Sequence, residues 1–328
     1  WASCNGLAMV IGPTIGGLLV DSAGWRSIFL LTLPIAALTL AMGLWAVPES
    51  SHPQGRRLDL PGQTLAIIGL GALSFAAIEG SRWGWTAAPI LAGFLTFALL
   101  LPAFVAVQRR TEGALVPMSL FRHRTFVAAL LVAGLMTFGM YGMLFLLPID
   151  LQVARGASAF MAGIELLPNS VVFLIVSNLS GWLAVRFGAR AVMTAGMAAM
   201  GGGLMVLAAL PGDAPYLAIA GGLAIIGVGL GLNTGPVNSV AVASVPPARS
   251  GTASGLVNTA RMIGATLGIA VLGAIFAAYA SQSPGDATAV AQGLRVALLV
   301  GGLGELSGAL IALRFIRAGA LQGRAGAG

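Results

Sequence analysis

Charged residues are scarce in this 328-residue sequence, at 8% against 58% hydrophobic residues, and the mean hydropathy is +0.95. An ordinary soluble domain carries about 25% charged residues, because these side chains cover the surface that faces water. A chain with so few charges cannot cover such a surface. The composition therefore excludes a water-soluble domain and predicts a protein embedded in a membrane.

Lysine is absent, so all seventeen basic residues are arginine, and the formal net charge is +7. An excess of positive charge can indicate a nucleic-acid partner. Here the arginines lie in short segments between long apolar runs and do not form one basic face. The sequence therefore predicts no nucleic-acid partner.

Cysteine and histidine are nearly absent as well. Cys4 is the only cysteine, which excludes an intramolecular disulfide and a thiolate metal site. His52 and His123 lie in predicted loops and are too few for a metal site. The sequence also lacks the G-x-S-x-G, HExxH and phosphate-loop motifs. These absences predict no enzymatic activity, no metal, no cofactor and no ATP-driven pumping.

The apolar residues form ten runs that are each long enough to cross a bilayer. A helix needs about 20 residues to cross a hydrocarbon core of about 30 Å. Each run must be helical, because hydrocarbon offers the backbone no hydrogen-bond partner. The predicted fold class is therefore all-α, a polytopic membrane protein with about ten transmembrane helices. The runs are residues 2–20, 27–47, 62–80, 87–108, 126–149, 159–183, 190–210, 215–240, 254–279 and 293–315.

The arginines are distributed unequally between the two sides of these runs. One side carries twelve, the other carries four, and Arg261 lies within the ninth run. Short cytoplasmic loops are enriched in arginine. We therefore predict a multi-pass protein of the cell membrane, with the arginine-rich side and the C-terminus in the cytoplasm. The twelve are Arg56, Arg57, Arg109, Arg110, Arg122, Arg124, Arg186, Arg190, Arg249, Arg314, Arg317 and Arg324; the four are Arg26, Arg82, Arg155 and Arg295.

The chain begins at Trp1, inside an apolar run and without the basic segment that starts a signal peptide. We interpret it as a fragment that lacks an N-terminal part. Because the first run starts on the cytoplasmic side, that part would hold an even number of helices or none, if its own N-terminus is also inside.

The first run contains small residues at a spacing typical of close helix packing. Ala8, Gly12 and Gly16 are four residues apart and would form one flat face, and Pro13 removes a helical hydrogen bond. The segment Ala8-Met-Val-Ile-Gly12-Pro13-Thr-Ile-Gly16-Gly17, with Gly-Trp-Arg before the next helix, resembles the antiporter motif G-x-x-x-G-P-x-x-G-G of the major facilitator superfamily, in its fourteen-helix drug:proton antiporter branch. The resemblance implies that this face seals the two halves of a transporter against leak.

A second segment, Gly181-Trp-Leu-Ala-Val-Arg186-Phe-Gly188-Ala-Arg190, is similar to the cytoplasmic loop motif of the same family, G-x-L-A-D-R-x-G-R-K. Gly188 permits a tight turn. Arg186 and Arg190 would either hold the cytoplasmic gate or simply reflect the positive-inside rule, the general enrichment of arginine in cytoplasmic loops. Val185 replaces the acid of the motif, which weakens a charge relay in this half.

A third segment, residues 251–268, resembles the thirteenth helix of the same branch, and Gly264 and Gly268 have the spacing of another close-packing face. The resemblance covers essentially the whole chain and implies that it contains helices five to fourteen. The implied units are the last two helices of the N-terminal domain (1–47), an extra central hairpin with cytoplasmic loops (48–125), the six-helix C-terminal domain (126–316) and a cytoplasmic tail (317–328).

Ionisable groups inside apolar runs are costly and are therefore candidates for transport. Arg261 lies about two turns into the ninth run, where it would face the central cavity or extend to the cytoplasmic head groups. Glu165 lies about two turns into the sixth run, close to Pro168. It would exchange a proton for substrate, or it would be a water-facing acid of the outer vestibule.

Three further polar residues lie within apolar runs. Glu305, near the middle of the last run, would be either a coupling acid or a protonated acid that packs against a neighbouring helix. Asn233 and Asn238 flank Pro236 in the eighth run, where a broken helix would leave carbonyls free. These amides would line a substrate path or form hydrogen bonds between helices.

We therefore predict a secondary active exporter that exchanges protons for amphipathic, often cationic, drugs or toxic compounds. Its expected partners are a small-molecule substrate, protons and the lipid bilayer, and the full-length protein is expected to be monomeric. Two alternatives remain open. One is an exporter of an endogenous metabolite or lipid precursor with the same fold. The other is a non-transporting membrane assembly protein or a membrane enzyme.

Overall fold

The computed structural model describes residues 2–47, 59–111, 114–280 and 287–317, and within these ranges the chain forms α-helices and two short 3-10 helices without any strand. His52, Arg56, Arg57, Arg324 and the tail from residue 318 lie outside the described residues, as does the side chain of Cys4. The helices are α1 (Ala2–Ala23), α2 (Arg26–Ala46), α3 (Leu60–Trp83), α4 (Ala88–Arg110), α5 (Arg124–Val153), α6 (Ala159–Glu165), α7 (Leu167–Phe187), α8 (Ala189–Ala209), α9 (Tyr216–Ala243), α10 (Ser250–Ala280) and α11 (Ala287–Phe315).

Ten segments of the described chain are long and apolar enough to cross a membrane, and they coincide with the ten predicted runs. The all-α fold class is therefore confirmed. The sixth span consists of α6 and α7, which are separated at Leu166. Pro168 lacks an N–H donor and its ring clashes with the carbonyl of Ile164, so it ends α6. The break predicted at Pro236 is wrong, because α9 continues from Tyr216 to Ala243.

Large apolar side chains are exposed on the outer helices. No residue of α2 is buried, and Leu44 and Trp45 are 79% and 88% exposed. Contiguous apolar surface of this kind is not stable in water. These side chains are therefore suited to lipid or to contact with further helices.

The core lies among α5, α7, α8, α9, α10 and α11. Here α5 packs against α10 and α11, α8 packs against α9 and α11, and α7 packs against α9. Met136, Met140 and Met143 of α5 are buried in this core, whereas Tyr141 and Phe145 on the same helix are exposed. The methionines of α5 therefore pack the protein interior and do not line an open pocket.

Small residues allow the closest of these crossings. A Cβ at Gly264 would overlap the carbonyl oxygen of Gly134, and one at Gly268 would overlap that of Phe138. The predicted close-packing face on α10 is therefore present, and it faces α5. The Thr137 hydroxyl at this crossing donates a hydrogen bond to the Arg261 carbonyl at 2.7 Å.

The α3–α4 hairpin is held to the segment that leads into α5 by a buried carboxylate. Asp59 precedes α3 and accepts hydrogen bonds from the N–H of Gly62 at 2.9 Å, the N–H of Leu115 at 3.1 Å and the side chain of Gln108. Gln108 in turn accepts from the N–H of Val116 at 2.7 Å. Burial raises the pKa of Asp59, but these hydrogen bonds outweigh burial and hold the pKa below its usual value.

Candidate functional site

The antiporter-like segment of α1 packs against the broken sixth span. A Cβ at Gly17 would lie 2.7 Å from the Cα of Phe160, and a Cβ at Gly163 would overlap the carbonyl oxygen of Pro13. Small residues on both sides therefore let the two backbones touch. Pro13 lies in this contact without interrupting α1, which is continuous from Ala2 to Ala23.

The face of α1 that makes this contact differs from the predicted one. Gly12 and Gly16 have no described neighbour within 4 Å of a built Cβ, and the side chain of Ala8 is exposed. Gly6 packs against Leu174 instead, on the same face as Pro13 and Gly17. Within the described chain, Ala8, Gly12 and Gly16 form an open face. A role for that face in sealing the transporter stays a prediction.

Asp21 strengthens the contact between α1 and α6, and the sequence analysis assigned it no role. Its carboxylate accepts a hydrogen bond from the N–H of Phe160 at 2.9 Å. This N–H belongs to the first turn of α6, where helical N–H groups have no partner within the helix. Asp21 follows Gly17 by four residues, so the helical period could have placed both on one face. On the predicted topology this contact lies at the outer side.

Arg261 lies on α10 and turns towards α9. Its Nη2 donates to the carbonyl of Thr234 at 3.1 Å, while its Nε is buried without a hydrogen-bond partner among the described residues. The guanidinium also lines a pocket of about 600 Å³. An arginine with one satisfied and one unsatisfied nitrogen retains donor capacity for a ligand.

The same pocket contains Asn238, so the structure brings two of the predicted residues together. Ser254, Asn258 and Val257 of α10 complete most of the wall, and the Ser254 hydroxyl donates to the Asn238 amide oxygen at 3.3 Å. No carboxylate belongs to the part of this wall that the structure describes. The pocket therefore offers one cation and several neutral polar groups, which suits an anionic or carbonyl-rich ligand group.

Asn233 does not reach this pocket. It is fully buried against Gly196 of α8, and its amide nitrogen donates to the Gly229 carbonyl of its own helix at 3.0 Å. Five residues separate Asn233 from Asn238, and a helix turns by about 500° over that distance, so the two side chains face different neighbours. Asn233 therefore packs against α8, and its hydrogen bond stays within α9, so the hydrogen bond between helices that was the alternative is not seen among the described residues.

Glu165 is the last residue of α6 and is half-buried beside the break in the sixth span. The hydroxyl of Tyr216 donates to its backbone carbonyl at 3.3 Å. Gly163, two residues earlier, touches Pro13 of α1. Glu165 is therefore remote from Arg261 in the fold but close to the contact between α1 and α6.

Glu305 is fully buried in α11 at the crossing with α5 and α8. A Cβ at Gly139 would lie 2.5 Å from its Oε1, and Leu204 lies against the same glycine. Neither carboxyl oxygen has a hydrogen-bond partner within the described chain. An unpaired buried carboxylate costs several kcal/mol, so these surroundings accommodate the neutral acid. The backbone of Gly139 on α5 is the nearest polar group to this carboxyl, and both roles predicted for Glu305 stay predictions.

The loop between α7 and α8, where the cytoplasmic loop motif lies, consists of one residue. Gly188 has φ +84° and joins the two helices directly, which confirms the predicted tight turn. Arg186 is exposed and lies over the ring of Trp182, with 5.2 Å between the guanidinium carbon and the ring centroid. Gly181 has no described neighbour within 4 Å of a built Cβ. Arg190 points to a different place, a basic pocket at the ends of the bundle helices.

A buried ion pair closes the opposite end of the same bundle. Asp150 is buried and lies 3.9 Å from the Nε of Arg155. The two terminal nitrogens of Arg155 donate to the carbonyls of Ala214 and Gly212, each at 2.9 Å. Arg155 thus ties the end of α5 to the loop between α8 and α9. The sequence predicts only an arginine on the outer side at this position, because nothing in the chain pairs Arg155 with a loop about 60 residues away.

Comparison with known proteins identifies the family. The family model described as Major Facilitator Superfamily matches residues 1–269. The chain is 39% identical over 283 residues to the multidrug resistance protein Stp of Mycobacterium tuberculosis, covering 86% of this chain and 52% of that protein. It is 32% identical over 316 residues to the methylenomycin A resistance protein of Streptomyces coelicolor, covering 96% and 65%.

A third relative is the probable actinorhodin transporter of Streptomyces coelicolor, at 33% identity over 284 residues, covering 83% of this chain and 49% of that protein. The chain thus spans between 49% and 65% of the length of these three relatives. The family model covers most of the chain, and the ten apolar helices agree with it. The chain therefore belongs to the Major Facilitator Superfamily of membrane transporters.

Proposed function

We propose that this chain forms helices five to fourteen of a proton-coupled exporter of amphipathic, drug-like compounds, from the fourteen-helix branch of the family. The pocket between α9 and α10 carries this proposal. It brings together Arg261 and the amides of Asn238 and Asn258, towards the end of α9 and the start of α10, and the loop between these helices carries Arg249. The relatives named for drug and antibiotic resistance support the substrate class.

Alternating access follows from the positions of the pocket and the closed contact. The pocket lies at the end of α9 and the start of α10, on the predicted cytoplasmic side. The contact of Gly17 and Asp21 with α6 lies at the other end of the spans. A pocket on one side and a closed helix pair on the other correspond to the inward-open state of a transporter whose halves rock about a central site.

Glu165 is our proposed proton-binding residue. It is half-buried beside a helix break, and its helix supplies Gly163 and Phe160 to the contact with α1. A proton that binds or leaves at this place changes the charge next to that contact. An ion can shift a conformational equilibrium only by its different affinity for the two states, and a position beside a contact that opens and closes would supply such a difference.

The charge of the pocket narrows the compounds that it accepts. Arg261 presents an unneutralised cation, and no described carboxylate lines the wall. A lipophilic cation, the class expected from the sequence, would place its positive charge against Arg261. We therefore propose that carboxylate, phenolate or carbonyl groups bind here. Two relatives, a methylenomycin A resistance protein and a probable actinorhodin transporter, favour an exporter of natural products as the second candidate.

The proposal is tested with the complete protein in everted membrane vesicles under an imposed proton gradient. We expect uptake of an amphipathic fluorescent compound that stops when an uncoupler is added, and we expect Glu165→Gln to abolish coupled uptake. Glu79→Gln is the matched control, because Glu79 is another acid at the outer end of a span, paired with Arg82 at 3.6 Å. Uptake that continues unchanged when the uncoupler is added would refute proton coupling. Unchanged proton-coupled uptake in Glu165→Gln would contradict the role of Glu165 as the proton-binding residue but not proton coupling itself. The separate chain of residues 1–328 is expected not to transport.

A further inference from the structure

A second polar pocket lies at the opposite end of the bundle from Asp150, and nothing in the transport proposal uses it. It has a volume of about 900 Å³ and lies where α5 and α8 begin and where α9 and α11 end. Five arginines line it: Arg122, Arg124, Arg190, Arg314 and Arg317. They come from three separate parts of the chain, so the fold and not one basic segment brings them together.

These arginines have no acidic partner in the described chain. The ion pairs found there involve Arg82 and Arg155, both at the other side. Among the described residues, no aspartate or glutamate lines the pocket. Five like charges around one cavity repel each other. Salt screens such repulsion only between charges that are farther apart than a Debye length of about 8–10 Å. An anion that binds between them would relieve this repulsion.

The positions of two arginines oppose helix stability. Arg124 is the first residue of α5, and Arg190 is the second residue of α8. A cation near a helix N-terminus is unfavourable, because that end carries partial positive charge. The same N-termini present free N–H groups, which together with arginine favour a phosphate or another oxyanion. Thr125 holds this arrangement together, since its hydroxyl donates to the carbonyl of Phe315 at 3.2 Å.

The depth of the pocket identifies the source of the anion. Arg124 begins one membrane span, and Arg314 lies next to the end of another. Side chains at these positions lie at the level of the lipid head groups. Basic pockets between transmembrane helices at that level bind anionic lipid head groups. We propose that this pocket is a binding site for the phosphate of an acidic phospholipid, with Arg190 and Arg314 as principal ligands.

The test uses the complete protein, purified in an uncharged detergent and stripped of lipid. Phosphatidylglycerol or phosphatidylcholine is titrated, and bound lipid is counted by native mass spectrometry while thermal unfolding is followed. We expect phosphatidylglycerol to bind and to raise Tm, and phosphatidylcholine to do neither. An arginine near an anionic surface contributes roughly fivefold in affinity. The double variant Arg190→Gln with Arg314→Gln is therefore expected to bind about 30-fold more weakly.

The matched control removes the same charge on the other side, by Arg26→Gln with Arg82→Gln, and should bind as the unmodified protein does. Arg317→Gln, beyond the end of α11, is a milder variant with an expected loss of roughly fivefold. Equal losses in the control and pocket variants would overturn the site in favour of general charge attraction. Binding of inorganic phosphate that raises Tm as much as phosphatidylglycerol would overturn the lipid source in favour of a soluble anion.

Discussion

Replacement of Gly264 by alanine is expected to lower the unfolding free energy by about 1–3 kcal/mol, the usual range for a side chain forced into a filled interface. The added Cβ would overlap the Gly134 carbonyl and would lie 2.5 Å from the Thr137 hydroxyl. Backbone atoms cannot rotate away, so α5 and α10 must separate. Separation also breaks the hydrogen bond from Thr137 to the carbonyl of Arg261. The measurement is Tm of the purified protein in detergent.

Gly273→Ala is the matched control on the same helix. A Cβ there would have Phe145 Cε1 as its nearest neighbour, at 3.8 Å, which is ordinary van der Waals distance. Alanine is a better helix former than glycine, so this variant should keep or slightly raise Tm. Opposite signs for the two variants are the expected result. Equal Tm values for Gly264→Ala and Gly273→Ala would show that the α5–α10 crossing is looser than described.

Replacement of Arg261 by alanine is expected to raise KM for a carboxylate-bearing substrate by about 10- to 100-fold. Hydrogen bonds to a charged group contribute about 1.5–3 kcal/mol, and each 1.4 kcal/mol corresponds to a factor of ten. KM for a lipophilic cation should stay the same or fall, because a repulsive charge is removed. Arg261→Lys keeps the charge but loses the planar group. Its KM for the carboxylate-bearing substrate should lie between the values of the unmodified protein and of Arg261→Ala. The measurement is initial transport rate in everted vesicles at varied concentrations of each compound.

Met262→Ala provides the control for a change at this level of α10. Met262 is adjacent to Arg261 and is 51% exposed, so its truncation leaves the pocket wall intact. A purely structural role of Arg261, through its hydrogen bond to Thr234, would change transport of the acid and the cation by the same factor. Equal factors in Arg261→Ala would therefore contradict the binding role of this residue.

The spans could be predicted from the sequence because run length alone decides them. Each run has roughly the length that a bilayer requires, and most neighbouring runs are separated by a segment that contains arginine. The break in the sixth span was not predicted, although Pro168 was noted beside Glu165. Pro236 is the same residue type and leaves α9 continuous. Proline alone therefore does not determine where a membrane helix ends, because neighbouring helices can satisfy the freed carbonyl.

The orientation of each helix was the part that the sequence could not supply. A water-soluble helix shows its buried face by alternation with polar residues, but α1 and α9 are mostly apolar and have no clearly polar face opposite an apolar one. For this reason Ala8, Gly12 and Gly16 were assigned to the packing face that Pro13 and Gly17 occupy. Asn238 and Arg261 meet in one pocket because α9 and α10 happen to present them to each other. The spacing of residues along one helix does not tell which face the neighbouring helix presents to it.

The central claim is that the Arg261 pocket opens to the cytoplasm and alternates during transport. The test uses a variant in which Cys4 is replaced by serine. In this variant Asn258, which lines the pocket and is exposed, is replaced by cysteine. Asp213→Cys, in the exposed loop between α8 and α9, reports the other side. A membrane-impermeant maleimide is applied to everted and to right-side-out vesicles, with and without substrate and a proton gradient.

We predict that Asn258→Cys reacts in everted vesicles and that substrate with a proton gradient slows the reaction. We predict that Asp213→Cys reacts only in right-side-out vesicles. Reaction of Asn258→Cys only in right-side-out vesicles would contradict the orientation. A labelling rate in everted vesicles that neither substrate nor the gradient changes would contradict alternating access at this pocket.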